Sequence, residues 1–516
     1  MIRTGAQYLE GIRDRRLVYL DGRPVDDVTA EPGFAELAHT VARMFDLQHD
    51  PDYAGVFTFE TEAGERRSRA WMRPQSRSEL AERQLYTQTL ARLTGGLFGR
   101  LPEYVPLFVL GLLDQREAFS KGDTRFRENI ERYFERAASE DLALSHAFVD
   151  IQVDPALDLD STRLPRVVRR DEDGIVVDGS KAIATFASHS DEVLIGTFPR
   201  PGLKPHHIMY FSIPITTPGL QVVARPPYGV GSTFDHPVSR FGDENDSLLM
   251  LNEVFVPWER VFQVDVDASF ASRVFPLISE WAHWSILCRL AAKSEMLTGI
   301  FAALPEMLGR AERPDAKEAL GEMERYLITL RAFIDAAAAR GVRTPSGHFM
   351  PDPGVVTAGR CYSVEHYPRL IRTLVELMGQ AFMTVPTEGS FASDAIGPEL
   401  TAIFETPTVT ALERARLTRL AFDIAVDTYG GRQTLFEIFN ATGIATIRAQ
   451  LMARFDTEPY KRLALAIAGV GEVTTAEVAV REAAGVGFFA DEVYDPVGAA
   501  YASTYKRHEA AVAPTS

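Results

Sequence analysis

The chain has 516 residues, 46% hydrophobic and 24% charged, with 71 Asp plus Glu against 54 Lys plus Arg, a net charge of −17. That length exceeds what one hydrophobic core supports and predicts about three domains, and the composition excludes a mainly disordered chain. The acidic balance argues against a nucleic-acid or anionic-membrane partner, and two cysteines, Cys288 and Cys361, exclude a disulfide scaffold and a three- or four-cysteine metal site.

The N-terminus carries no apolar signal-peptide core, and the longest apolar run, Tyr104–Leu113, is about half the roughly 20 residues needed to span a bilayer. A cytoplasmic chain is expected. Val18-Tyr19-Leu20, Asp21-Gly22 and Arg23-Pro24-Val25 read as a tight turn between extended pieces. Helical spacing follows over Phe34–Leu47 through Leu37, Val41, Met44 and Phe45. A second helix is expected over Ser78–Thr94, with Ser78 as N-cap and Gly95-Gly96 as its stop. Residues 1–143 therefore read as a mainly helical domain.

From His146 the texture turns to short β runs. Arg166–Arg170 and Ile175–Gly179 flank an Asp/Gly turn, a hairpin signature. Further strands are expected at Glu192–Thr197, His207–Ile213, Gln221–Ala224, Ser247–Leu251 and Val254–Val256. This gives a β domain over 144–268, expected as a small barrel. His206 and His207, placed in a strand, would face opposite sides and share no metal; a solvated turn is the expectation.

The helical period returns after Phe270. Ser279–Leu308, Pro314–Gly341, Tyr362–Met378 and Thr408–Thr428 predict an antiparallel bundle over 269–470. Residues 471–516, rich in Ala, Gly and Val, are expected to form a tail that contacts another subunit. No βαβ alternation occurs, so a doubly wound nucleotide fold is disfavoured. Gly229-Val230-Gly231 and Gly469-Val470-Gly471 lack the strand–turn–helix context and third glycine of a dinucleotide fingerprint and read as loop glycines.

Several segments resemble the 4-hydroxyphenylacetate 3-monooxygenase family. They are Thr4–Glu10 with Asp14, Asp21-Gly22 and Val25; Gly99-Arg100-Leu101-Pro102-Glu103-Tyr104, whose usual form ends Pro-Asp-Tyr; Asp173–Thr185; Phe255–Phe262; and Tyr429–Gln433 with Leu435-Phe436-Glu437. The resemblance covers about residues 4–465 in order. It implies an α+β multidomain, acyl-CoA dehydrogenase-like fold: N-terminal helices, a β-barrel and a four-helix bundle, assembled as a homotetramer or homodimer. It implies the oxygenase component of a two-component system. FADH2 comes from a separate NAD(P)H flavin reductase, O2 adds to give a C4a-hydroperoxyflavin, and a phenolic or other electron-rich aromatic substrate, free or carrier-tethered, is hydroxylated. The hard chemistry is the cofactor's, and the protein binds, orients and excludes water.

Carried over residue by residue, the resemblance makes Arg100, Tyr104 and His146 catalytic. A spacing of four puts Arg100 and Tyr104 on one face if the stretch is helical. His146 could bind or deprotonate a phenol, given an ordinary pKa near neutrality. FAD falls to His146, Gln152, Thr185, Gly431, Arg432, Asn440 and Thr442, with Gly431 and Arg432 near the pyrophosphate. Phe198, in the loop Phe198–Leu203, is a substrate-side residue. Trp258 reads as structural.

One departure stands out. Relatives that hydroxylate phenols usually carry a histidine four residues before the arginine matching Arg289; here that residue is Ser285. His283 lies two residues earlier, about 200° round a helix. Either His283 reaches in through a distortion, or His146 alone handles the proton, or the substrate needs no such base. The alternatives to an oxygenase are an acyl-CoA dehydrogenase-like flavin oxidase and a non-catalytic flavin-binding subunit. A dehydratase of the same fold needs three cysteines for its iron–sulfur cluster, and this chain has two.

Overall fold

A computed structural model of the chain describes residues 2–100, 102–439 and 442–471. Asn440 and nearly all of the expected 471–516 tail therefore lie outside the described residues. The helix Ala35–Asp46 buries Leu37, Val41, Met44 and Phe45, the stripe its spacing predicts. The helix Arg77–Arg92 is capped two residues before the expected position. Ser76, not Ser78, accepts the Glu79 N–H on its side chain.

The middle segment is built from two sheets, not a closed barrel. One runs Arg23–Pro24, Val18–Leu20, Leu220–Ala224, Ser247–Pro257, Gly174–Lys181, Arg166–Arg170. The other runs Val261–Val264, Met209–Pro214, Glu192–Gly196, Leu144–Ala147. Among the described residues one isolated bridge, Asp150 to Lys181, links the chain just beyond Leu144–Ala147 to the first sheet. At the other edge closure is blocked by a helix. The carbonyl of Val261 is taken by the Asn129 amide at 2.7 Å, from the helix Arg125–Glu140 that covers this side. The N-terminal strand Val18–Leu20 pairs in parallel with Leu220–Ala224, so this piece of the first segment completes the middle sheet. Ser247–Pro257 is one strand where two were expected. Its register shifts between Leu251 and Val254, a bulge that accommodates Glu253 at φ 49°. Trp258 is a structural anchor: its indole N–H donates to Asp171 at 3.1 Å and Arg125 stacks on its ring.

The helices Glu280–Met307, Pro314–Ala339, Pro353–Met378 and Ala411–Ala425 pack against one another. The third starts nine residues before Tyr362, because Asp352 caps it by accepting from Gly354 and Val355 and Pro353 occupies the first helical position. Trp281 and Trp284 are wholly buried on the first. Among the described residues no helix is long and apolar enough to cross a membrane.

Candidate functional site

The segment Gly96–Arg100 is held in place by glycines and an acid. A side-chain carbon at Gly96 would stand 2.3 Å from the Lys293 backbone nitrogen, and one at Gly99 would stand 2.1 Å from the Phe436 ring. Only glycine lets this loop press onto the Glu280–Met307 and Thr428–Phe439 helices. The Glu244 carboxylate accepts the Gly99 N–H at 2.6 Å and also the Arg100 N–H, while the Gln433 amide donates to the Leu97 carbonyl at 3.1 Å.

Arg100 and Tyr104 do come together, as a stacked pair rather than as two positions on one helix. The helix starts only at Tyr104, and the Arg100 guanidinium lies 4.3 Å from the Tyr104 ring centre. Tyr104 meets the His146 ring edge-on at 5.7 Å. His146 in turn contacts Phe108 and Phe148, and an aromatic wall continues through Phe275 to Phe198, each step about 5–5.5 Å. Phe198 thus joins the same wall from the loop that follows the strand Glu192–Gly196. The expectation of a near-neutral His146 is corrected. Burial, helped by the positive charge of Arg100, pushes its pKa down to about 3, so the ring is uncharged.

Thr185 and Arg432 share one partner. The Thr185 hydroxyl donates to Asp246 at 2.8 Å, and Arg432 binds the same carboxylate through Nε at 3.0 Å and Nη2 at 2.8 Å. Arg225 adds a third contact at 3.1 Å. The Thr185 carbonyl accepts from Ser145, beside His146, which ties this acid cluster to the aromatic wall. Gly431 is exposed, with open space on its Cα side. Gln152 is exposed in a loop, Thr442 is half-buried, and no described contact brings either to Arg100 or Tyr104.

His283 does not reach in. The Glu280–Met307 helix is unbroken, and the His283 ring faces Arg360 of the Pro353–Met378 helix at 3.2 Å. The distortion option is thereby removed. Ser285 instead donates to Glu103 at 2.6 Å. Below it, Glu437 accepts from Arg289 at 2.6 and 2.8 Å and from Lys293 at 2.9 Å. Burial alone would raise this carboxyl, but the two cations bring it down to about 2. A carboxylate paired to two cations in this way is not a free base.

His206 and His207 lie in a short 3-10 turn, as expected, but His207 is buried and not solvated, and both approach Asp160. The trio does not make a metal site. His207 Nδ1 accepts the Lys204 N–H at 3.1 Å, which puts the ring proton on Nε2, the atom facing Asp160. Lys204 Nζ already holds the same carboxylate at 2.5 Å.

The sequence reading missed Glu244, Asp246, Phe436 and the aromatic wall. The acidic run Asp243-Glu244-Asn245-Asp246 was the available signal for the first two. The guanidiniums of Arg100, Arg289 and Arg432 all lie about 5 Å from the Phe436 ring centre. Arg100 Nε, Arg289 Nε, Arg432 Nη1, His146 Nδ1 and Ser247 Oγ are buried and without a hydrogen-bond partner among the described residues.

Comparison with known proteins bears on this geometry. Residues 4–263 match the family model "4-hydroxyphenylacetate 3-hydroxylase N terminal" and residues 273–469 match "4-hydroxyphenylacetate 3-hydroxylase C terminal". The chain is 31% identical to the oxygenase component of a 4-nitrophenol 4-monooxygenase/4-nitrocatechol 2-monooxygenase from Rhodococcus opacus, covering 96% of each chain. It is 32% identical to the oxygenase component of 4-hydroxyphenylacetate 3-monooxygenase from Thermus thermophilus, covering 89% of this chain and 96% of that one. A solved oxygenase component of 4-hydroxyphenylacetate 3-monooxygenase complexed with FAD superposes with a TM-score of 0.85 at 31% identity, over 90% of this chain and 98% of that one.

Proposed function

The chain belongs to the 4-hydroxyphenylacetate 3-hydroxylase family, and from that premise we propose how its site hydroxylates an aromatic ring. It is the oxygenase component of a two-component, FADH2-dependent aromatic monooxygenase. A separate reductase supplies the reduced flavin, and O2 is the co-substrate. Reduced FAD, when bound, supplies the oxygen activation and the oxygen atom that is transferred.

The observation that carries the reading is that Arg100 Nε and His146 Nδ1, both against the Tyr104 ring, are buried and without a partner among the described residues. Buried guanidinium donors left without acceptors are costly unless a ligand meets them. An acceptor-rich flavin and a phenol oxygen supply such acceptors, so the residues present fit the cofactor. Arg100 steadies a developing phenolate without itself titrating. Tyr104, stacked under it, fixes its direction. His146, uncharged, holds a hydrogen bond to the phenol oxygen without adding a second cation. The phenylalanines Phe108, Phe148, Phe275 and Phe198 present an apolar face to the ring and exclude water.

Thr185, Gly431 and Arg432 would hold FAD on the side of Asp246, with His146 between cofactor and substrate; Gln152, Asn440 and Thr442 complete the proposed flavin contacts. Phe198 and Ser285 stand on the substrate side. The domain division at 143, 268 and 470 and a cytoplasmic location belong to the same reading, the latter supported by two thiols and a high negative charge. A homotetramer or homodimer is supported by apolar side chains that the C-terminal helices leave exposed, among them Ile403, Met452 and Ile467.

The test combines the chain with FAD, NADH, a flavin reductase and a phenol. Hydroxylated product should form only when all are present with oxygen. Arg100→Ala should lower kcat/KM by about a hundredfold or more while FAD binding largely survives. No product from the native chain would overturn the reading.

A further inference from the structure

Glu103 stands directly before the helix Tyr104–Asp114, and it is 1% exposed. Its Oε1 accepts from the Ser285 hydroxyl at 2.6 Å, while Oε2 has no hydrogen-bond partner among the described residues. Two helices pack against it. Arg83 and Tyr86 face it from Arg77–Arg92, and Ser285 and Cys288 from Glu280–Met307. None of these neutralises a carboxylate by contact. Arg83, the cation among them, donates Nη1 to the Arg69 and Met72 carbonyls and Nη2 to the Ala70 carbonyl, at 2.6–3.1 Å, and its Nε, though without a partner among the described residues, makes no ion pair with Glu103.

An ionised carboxylate with a single hydroxyl donor in such a place carries a heavy desolvation cost. A neutral carboxyl does not: Oε1 accepts from Ser285 and the proton rests on Oε2. Burial raises the Glu103 pKa in agreement, against the smaller opposing pulls of Ser285 and Arg83.

We propose that Glu103 is a positioning residue for oxygenation: uncharged, it ties Ser285 of the bundle to the head of the helix that carries Tyr104, and so fixes the Arg100–Tyr104 stack. The inference rests on the assignment of Arg100 and Tyr104 to the oxygenation site. Ser285 thereby acquires a role of its own, since its hydroxyl is one end of a structural link and not a shortened stand-in for a base. A general base at Glu103 would require the opposite state, an ionised carboxylate.

The experiment compares the full native chain with Glu103→Gln, Glu103→Asp and Ser285→Ala, using added reductase, NADH, FAD and 4-chlorophenol across a pH series. Glutamine keeps the acceptor for Ser285 and the neutral charge, so kcat should stay within about threefold of native near neutrality, with any alkaline fall displaced upward. Ser285→Ala and Glu103→Asp, which break the link, should each lose about tenfold in kcat with FAD affinity unchanged. A hundredfold loss in Glu103→Gln, or native kinetics in Ser285→Ala, overturns the proposal. Thermal unfolding against pH gives a flavin-free readout. A folded-state pKa above the unfolded one makes the native chain lose stability as pH rises through that interval. Glu103→Gln should remove that loss, and an unchanged profile overturns the proposal. Failure of the oxygenase reading looks different, as absence of product from the native chain.

Discussion

Thr185 and Arg432 meet on one carboxylate, the Asp246 side chain, which accepts the threonine hydroxyl at 2.8 Å and both arms of the guanidinium at 2.8 and 3.0 Å. The two residues come from the turn after a β-strand and from a bundle helix, so Asp246 is where sheet and bundle are joined at the proposed cofactor side. Replacing it with Ala removes the direct carboxylate partner of Arg432 and frees Thr185, while Arg225 keeps Asp243 at 2.6 Å. The expected cost is about 3 kcal/mol of stability, together with weaker FAD binding. Burial works to raise the Asp246 carboxyl, but Arg432, Arg225 and Thr185 outweigh it and hold it well below the usual carboxylate range. This stabilisation is therefore complete above the unfolded value of about 4 and is lost as pH falls below it. Acid unfolding of native and Asp246→Ala chains, followed by circular dichroism, should converge at low pH.

The pairing also shows what the sequence could and could not reveal. The order helices, β segment, helices was legible, because a period of 3.6 survives in Leu37–Phe45 and a turn-bounded apolar run marks a strand at Ile175–Val177. The parallel partnership of Val18–Leu20 with Leu220–Ala224 was not, since nothing local in a three-residue strand specifies a partner 200 residues on. Arg100, Tyr104 and Thr185 were found through resemblance. Asp246 was missed, because its role exists only once three distant chain segments meet. His283 and Ser285 were legible as a problem of helical phase, and on the unbroken helix His283 faces Arg360 while Ser285 faces Glu103. The glutamate that receives Ser285 sits in a motif already singled out, but its contact spans 182 residues.

Gly99 should tolerate no side chain. A Cβ there would stand 2.1 Å from Phe436 Cζ and 2.7 Å from Cε1, inside any real contact distance. Gly99→Ala must push the ring away from Arg100, Arg289 and Arg432, or lift the loop off Glu244. The expected loss is about 1–3 kcal/mol in stability, with a larger proportional loss in turnover. Phe436→Ala in the same chain opens the space. It should recover stability in Gly99→Ala while leaving activity low, because the ring against which the three guanidiniums rest is gone. Equal effects of the single and double variants on thermal unfolding would refute the clash.

Glu437 is the anchor of the buried charge cluster, meeting Arg289 and Lys293 with almost no exposure on any of the three. Glu437→Gln keeps the shape but leaves two buried cations facing an amide. The expected destabilisation is about 3–5 kcal/mol, read as a lower midpoint in urea. Burial pushes Lys293 down and Glu437 only partly offsets this, leaving it at about 8; without the carboxylate it should lose its proton more readily still. The native chain should shed this stabilisation only under strong acid, as pH falls from about 4 toward the Glu437 value of about 2.

His146 carries the last prediction. A histidine at the substrate oxygen invites the expectation of a bell-shaped rate profile with an acid limb near its ordinary value of about 6.5. The structure predicts otherwise. Burial first, and Arg100 second, hold the ring uncharged down to about 3. The folded-state pKa is depressed, so the unfolded chain takes up the proton first and His146 destabilises the fold as pH drops from about 6.5 toward 3. Turnover with 4-chlorophenol should show no limb assignable to His146 between about pH 5 and 8. His146→Gln, which keeps a neutral hydrogen-bonding group, should retain more activity than His146→Ala, by about tenfold, and should leave the acid side of the profile unmoved. An acid limb in the native chain that vanishes in His146→Gln would show a charged imidazole at work, and Arg100 would then have to lie farther from the ring than the Tyr104 stack places it.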